Sequence, residues 1–131
     1  MKRLTIVLIV LVFYIGDTHG RNVLMIVNRL PKNATLKLHC YSGDDDFKTM
    51  YLRHNDPPQT WRFKDAFFHE TQFICNLHQG YHWAHHRSFI AYKSSMNTSQ
   101  KNNANATWFA GEKGIYLSFN QRTPEFMYIW M

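Results

Sequence analysis

The chain has 131 residues, of which 45% are hydrophobic and 16% aromatic, and carries a formal net charge of +6. That length suits a single domain. The basic residues are scattered and form no Lys/Arg run, which argues against nucleic-acid binding and for a solvated basic surface.

Residues 1–20 read as a secretory signal peptide. Lys2-Arg3 is a short basic region, Leu4 to Ile15 is almost wholly apolar, and Thr18-His19-Gly20 leads to a cut at Gly20|Arg21. The apolar run is shorter than the ~20 residues needed to span a bilayer. The expectation is therefore a cleaved leader, no stable membrane insertion afterwards, and a secreted, extracellular domain over 21–131. Losing Lys2, Arg3 and Asp17 leaves 13 basic and 8 acidic residues, a net +5.

Val23 to Val27 is a continuous apolar run rich in β-branched residues and reads as a central strand. Asn28 to Asn33 ends it with turn residues. Leu36, Leu38 and Cys40 then alternate with Lys37 and His39, the period of a half-buried strand, so the two segments are expected to form a hairpin. Ser42-Gly43-Asp44-Asp45-Asp46 stops that strand in an acidic loop. Tyr51-Leu52-Arg53 is a short strand broken by Asp56-Pro57-Pro58. Thr60 to Phe63 and Thr71 to Cys75 alternate again. Arg87 to Tyr92 is a further strand, with Phe89 and Ala91 on one face and Ile90 and Tyr92 on the other. Ser94 to Thr107 is polar, Asn/Ser-rich and without period, a long surface loop. Trp108-Phe109, Ile115 to Phe119 and Phe126 to Trp130 close the chain as strands. No segment keeps a helical period over three turns. Short aromatic-rich strands with frequent turns indicate an all-β fold, a sandwich or barrel.

The order of these features resembles the plant self-incompatibility protein S1 family, the small secreted S-protein homologues. The resemblance is carried by the first strand ending in Asn28, Leu36-x-Leu38-His39-Cys40, Ser42-Gly43-Asp44-Asp45-Asp46, Trp61-Arg62-Phe63, Thr71-x-Phe73-x-Cys75, Phe89-x-x-Tyr92, Trp108 and Gly114-Ile115-Tyr116, in register over nearly the whole of 21–131. It implies a small antiparallel β-sandwich of two sheets in a non-enzymatic signalling protein that binds a cell-surface protein receptor. Founding members of the family are pistil determinants that trigger rejection of self pollen through a pollen membrane partner.

Cys40 and Cys75 are the two cysteines of the chain. Secretion and even parity favour a bridge between them. Members of the family usually carry four or more cysteines, with later ones near the tryptophan that Trp108 matches and near the C-terminus. If Cys40 and Cys75 pair with those absent partners in the family, both are free thiols here.

The contact surface expected from exposed, family-matched loops comprises Asp44, Asp45 and Asp46, then Arg53 and His54, then His82, His85 and His86. Three adjacent aspartates lack the EF-hand spacing, so a solvated turn is expected rather than a Ca²⁺ site. His78, His82, His85 and His86 follow neither strand nor helix period and have no cysteine or carboxylate at ligand spacing, so no metal is expected. A clustered set would gain positive charge as pH falls through about 6.5. Asn33, Asn97 and Asn105 begin N-glycosylation sequons in expected turns or the long loop. No nucleotide loop, Gly-x-Ser-x-Gly or His-Glu-x-x-His occurs, so neither a cofactor nor an enzyme is indicated. The rival reading is a secreted carbohydrate- or cell-wall-binding module in which Trp61, Trp83, Trp108 or Trp130 stacks sugars. Trp61 and Trp108 fall at family core positions, where packing is expected.

Overall fold

The computed structural model describes residues 21–66, 70–96 and 103–131. The expected signal peptide and Asn97 lie outside the described residues.

Among the described residues, nine strands form two sheets. They are β1 Asn22–Arg29, β2 Leu36–Ser42, β3 Asp46–Leu52, β4 Gln59–Phe63, β5 Gln72–Gln79, β6 His85–Lys93, β7 Asn105–Gly111, β8 Ile115–Phe119 and β9 Glu125–Tyr128. One sheet has the order β4-β1-β7-β8-β9 and the other β3-β2-β5-β6. All pairs are antiparallel except β1 with β7, which run parallel.

The expected β1–β2 hairpin does not form. β1 pairs with β4 and β7, and β2 pairs with β3 and β5 in the other sheet. Asn28 explains the crossing. Its amide N–H₂ donates to the Ala34 and Leu52 carbonyls, both at 2.9 Å, and its Oδ1 accepts the Leu30 N–H at 2.9 Å. One side chain thus satisfies three backbone groups where the chain leaves one sheet for the other, a region in which ladder bonds are lost.

The inner faces alternate as the pattern requires. Leu24 and Ile26 of β1, Leu36, Leu38 and Cys40 of β2, Cys75 and Leu77 of β5, and Ala106, Trp108 and Ala110 of β7 are all buried. An aromatic seam crosses between the sheets: Phe63 lies 4.4 Å from Phe73 and 4.9 Å from Tyr92, and Phe89 lies 4.5 Å from Trp108, centroid to centroid. The Trp108 indole N–H donates to the Ala91 carbonyl across the sheets at 2.9 Å.

Cys40 and Cys75 stand opposite each other in the β2–β5 register and are joined by a disulfide, with Cα atoms 4.1 Å apart. Both lie wholly inside the core.

Three local departures from the expected elements have physical causes. Tyr92 faces inward, not outward with Ile90. The β5–β6 register slips between Phe73 and Ile74, so Ala91 is an extra residue and both it and Tyr92 are buried. The Tyr92 hydroxyl donates to Asp65 at 2.7 Å, the Asn22 amide also donates to Asp65 at 3.0 Å, and Asn22 Oδ1 accepts the Ala104 N–H at 2.9 Å. Burial and then the Asp65 carboxylate push the Tyr92 phenol far up from its usual range. Secondly, β3 begins at Asp46, four residues after β2 ends, so the acidic loop is a tight hairpin turn. Thirdly, the long polar stretch ends early, because Asn105 already belongs to β7.

Candidate recognition surface

The strand directions sort the loops into two ends. At what is termed the upper end, β2 finishes and β3 begins. At the lower end β1 finishes and β2 begins, β3 passes to β4, β5 to β6, and β7 to β8. The residues expected in one contact surface are thereby divided. Asp44, Asp45 and Asp46 stand at the upper end, and Arg53, His54, His82, His85 and His86 at the lower.

The upper turn is built from its own side chains. Ser42 Oγ accepts the N–H groups of Asp44 and Asp45 at 3.3 and 3.1 Å, and the Ser42 N–H donates to the Asp45 carbonyl at 2.8 Å. Asp46 Oδ1 accepts the Lys48 N–H at 2.9 Å and lies 2.7 Å from His39 Nε2. The Lys48 N–H first, and His39 second, hold the Asp46 carboxyl below its usual range. Asp46 is therefore turned toward β2 and its own strand. Among the described residues, no group of three His, Cys, Asp or Glu side chains is placed to hold a metal ion.

At the lower end, turns far apart in sequence converge on a groove of about 560 Å³ lined by Pro31, Lys32, Gly80, His85, Lys113 and Trp130 among others. The Trp130 indole N–H donates to the Gly111 carbonyl at 2.8 Å. Met131 exchanges backbone bonds with His86, at 2.9 and 3.2 Å, which ties the segment after β9 to the first residues of β6. The Arg53 N–H donates to Asp56 Oδ2 at 2.7 Å, closing the exposed turn that carries Arg53 and His54 ahead of Pro57.

The β5–β6 connection depends on Gly80. Its φ of 89° and ψ of −178° belong to a region that side chains essentially forbid. A Cβ there would also meet the His85 ring at 2.8 Å. This bend projects Tyr81, which is 85% exposed and packs edge-on against His82 at 4.1 Å. Trp83 turns back over the outer face of the four-stranded sheet, 5.8 Å from the Tyr51 ring and 5.7 Å from the Lys37 ammonium.

On that outer face Tyr51, Lys37, His78 and His86 stand in one row across four strands. The His78 and His86 rings are 5.8 Å apart. Partial burial, then the Lys37 and His86 charges, lower the His78 pKa. His78 thus faces Lys37 and a second imidazole rather than a carboxylate, which suits an anionic partner better than a bound cation.

The sequons differ in placement. Asn33 lies exposed in the lower-end turn with φ 57°. Asn105 does not sit in an exposed loop. It is half-buried at the start of β7, between β1 and β8, and its Oδ1 accepts the Thr107 hydroxyl at 2.8 Å. Lys32, Lys113 and Ile129 were not singled out as contact residues by loop reasoning. Phe126, Met127, Ile129 and Met131 form a cluster of exposed apolar side chains, the kind of patch that marks a contact surface.

A family model described as plant self-incompatibility protein S1 matches residues 23–130. S-protein homolog 9 of Arabidopsis thaliana is 32% identical over an alignment covering 99% of this chain and 99% of that protein. S-protein homolog 8 of the same plant is 30% identical, covering 88% of this chain and 85% of its own. Among solved structures, one of SPH (self-incompatibility protein homologue) proteins, described as a widespread family of small, highly stable, secreted plant proteins, superposes with a TM-score of 0.67 at 21% identity, covering 84% of this chain and 94% of that one.

Proposed function

The chain belongs to the plant self-incompatibility protein S1 family, and on that premise we propose that it is a secreted recognition protein that binds a cell-surface partner through its lower end, without catalysis. Secretion is supported by the leader-like residues 1–20 and by the description of the SPH relatives as secreted. The observation that carries the proposal is the convergence of Lys32, His85, Lys113 and exposed Ile129 around one groove, drawn from three connections and the segment after β9, with Arg53 and exposed Tyr81 on turns at the same end. Loops held on a rigid sandwich are the usual place for recognition. The disulfide and the cross-sheet aromatic seam supply that rigidity.

The test is binding of fluorescently labelled protein to intact plant cells. Saturable binding that free sugars do not displace, and that Arg53→Glu with His85→Ala abolishes, is the expected result. Displacement by free mono- and oligosaccharides would instead indicate the carbohydrate-binding module, and undiminished binding by the variant would remove the lower end from the contact.

A further inference from the structure

We propose that the lower end is a docking surface for an anionic lipid bilayer. This deepens the reading above and rests on it for the end of the molecule engaged. Two observations point there independently. One is the pair of apolar tips. Tyr81 is 85% exposed and Ile129 is 59% exposed, and they project from different segments of the lower end, the β5–β6 connection and the residues after β9. Tyr81 stands outside the groove, and Ile129 belongs to its lining while remaining more than half exposed. A soft apolar medium receives such tips, whereas a protein hot spot fills a packed pocket. Tyrosine in particular favours the bilayer interface, with its ring in the apolar layer and its hydroxyl among headgroups.

The second observation is charge. Lys32, Arg53 and Lys113 stand on the lower turns, and Arg29 and Lys37 lie just behind them at the end of β1 and the start of β2. The carboxylates on those turns are Asp56 and Glu112, and Asp56 is engaged by the Arg53 N–H. The upper end instead sets Asp44, Asp45, Asp46, Asp65, Glu70 and Glu125 against Arg21, Lys48, Lys64, Lys93 and Arg122, so its described charges nearly balance while the lower end is net positive. A molecule with this asymmetry approaches an anionic surface lower end first. Cations beside exposed apolar side chains make up the two-part signal of a peripheral membrane contact.

The experiment is co-sedimentation of the secreted protein, leader removed, with vesicles of phosphatidylcholine alone and of phosphatidylcholine with 30% phosphatidylglycerol (~30 mol%, enough for a negative surface potential). The proposal expects binding to the anionic vesicles only. Lys32→Gln with Lys113→Gln should lower the partition coefficient about thirtyfold. Tyr81→Ser with Ile129→Ser should lower it about tenfold. All four positions are solvent-facing, and thermal unfolding of each variant confirms the fold. Equal binding to neutral vesicles overturns the proposal. So does a Tyr81→Ser, Ile129→Ser protein that binds like the parent, because adsorption by charge alone would then suffice. Retention on immobilised polygalacturonate with no vesicle binding assigns the cations to an acidic polysaccharide and also overturns it. Asn33 shares this end, so a glycan there would hold the tips off the bilayer, and intact mass showing Asn33 occupied counts against the proposal equally. Saturable cell binding without vesicle binding refutes only the bilayer contact, while vesicle binding without saturable cell binding refutes only the receptor.

Discussion

Replacing Cys40 and Cys75 together by alanine opens the cross-link between β2 and β5. The bond joins residues 35 apart in sequence. A ring of that size restricts the unfolded chain by about 13 cal/mol/K, or about 4 kcal/mol at 25 °C. Both sulfurs are wholly buried, so their loss leaves space in the core and adds about 1 kcal/mol. A domain of this size has on the order of 5–15 kcal/mol in total, so the variant should lose a third or more of its stability and about 15–20 °C in Tm. The assay is urea unfolding followed by tryptophan fluorescence, with the parent protein also measured after reduction. The reduced parent should fall close to the double variant. Both should show a steeper urea dependence than the oxidised protein, because an uncrosslinked unfolded chain exposes more surface. A loss below about 1 kcal/mol, or two alkylatable thiols in the unreduced secreted protein, would refute the reasoning.

Other expectations follow from single contacts. Trp108→Phe keeps an aromatic ring in the seam but strands the buried Ala91 carbonyl that the indole N–H serves, so urea unfolding should show a loss of about 2–3 kcal/mol. Gly80→Ala should cost about 1–3 kcal/mol by the same measurement, since both the backbone angles and the His85 ring oppose a side chain. Asn28→Ala removes the partner of three backbone groups at the sheet crossing and should cost about 2–4 kcal/mol. His78 has a lowered pKa in the fold, from partial burial and the neighbouring Lys37 and His86. The unfolded chain therefore takes up its proton first, and the stability linked to His78 is full above about 6.5 and is lost as pH falls through the folded value. Unfolding measured at pH 7.5, 6.0 and 5.0 should show a smaller acid-side decline for His78→Gln than for the parent.

The strands were legible because period-2 burial needs only local sequence: Leu36, Leu38 and Cys40 face the core as their alternation requires. Sheet assignment was not, because it is decided by distant partners. Adjacent β1 and β2 look like a hairpin until Asn28 is seen to bind Ala34 and Leu52 and release the chain to the opposite sheet. The inward turn of Tyr92 was hidden for a similar reason, since a one-residue bulge inverts the face of everything after it. The candidate loops were found individually as exposed polar turns. Their division between two ends was not visible, because strand direction fixes it. Nor was the contribution of Lys32, Lys113 and Ile129, which only three-dimensional convergence places beside His85.

Recognition through the lower end is the claim on which the functional account depends. It is tested most directly by comparing two variants in the cell-binding assay, Arg53→Glu with His85→Ala at the lower end and Asp44→Asn with Asp45→Asn at the upper. The account predicts that the first loses saturable binding and the second keeps it with affinity unchanged within about twofold. Loss of binding by the upper-end variant, with the lower-end variant unaffected, would contradict it.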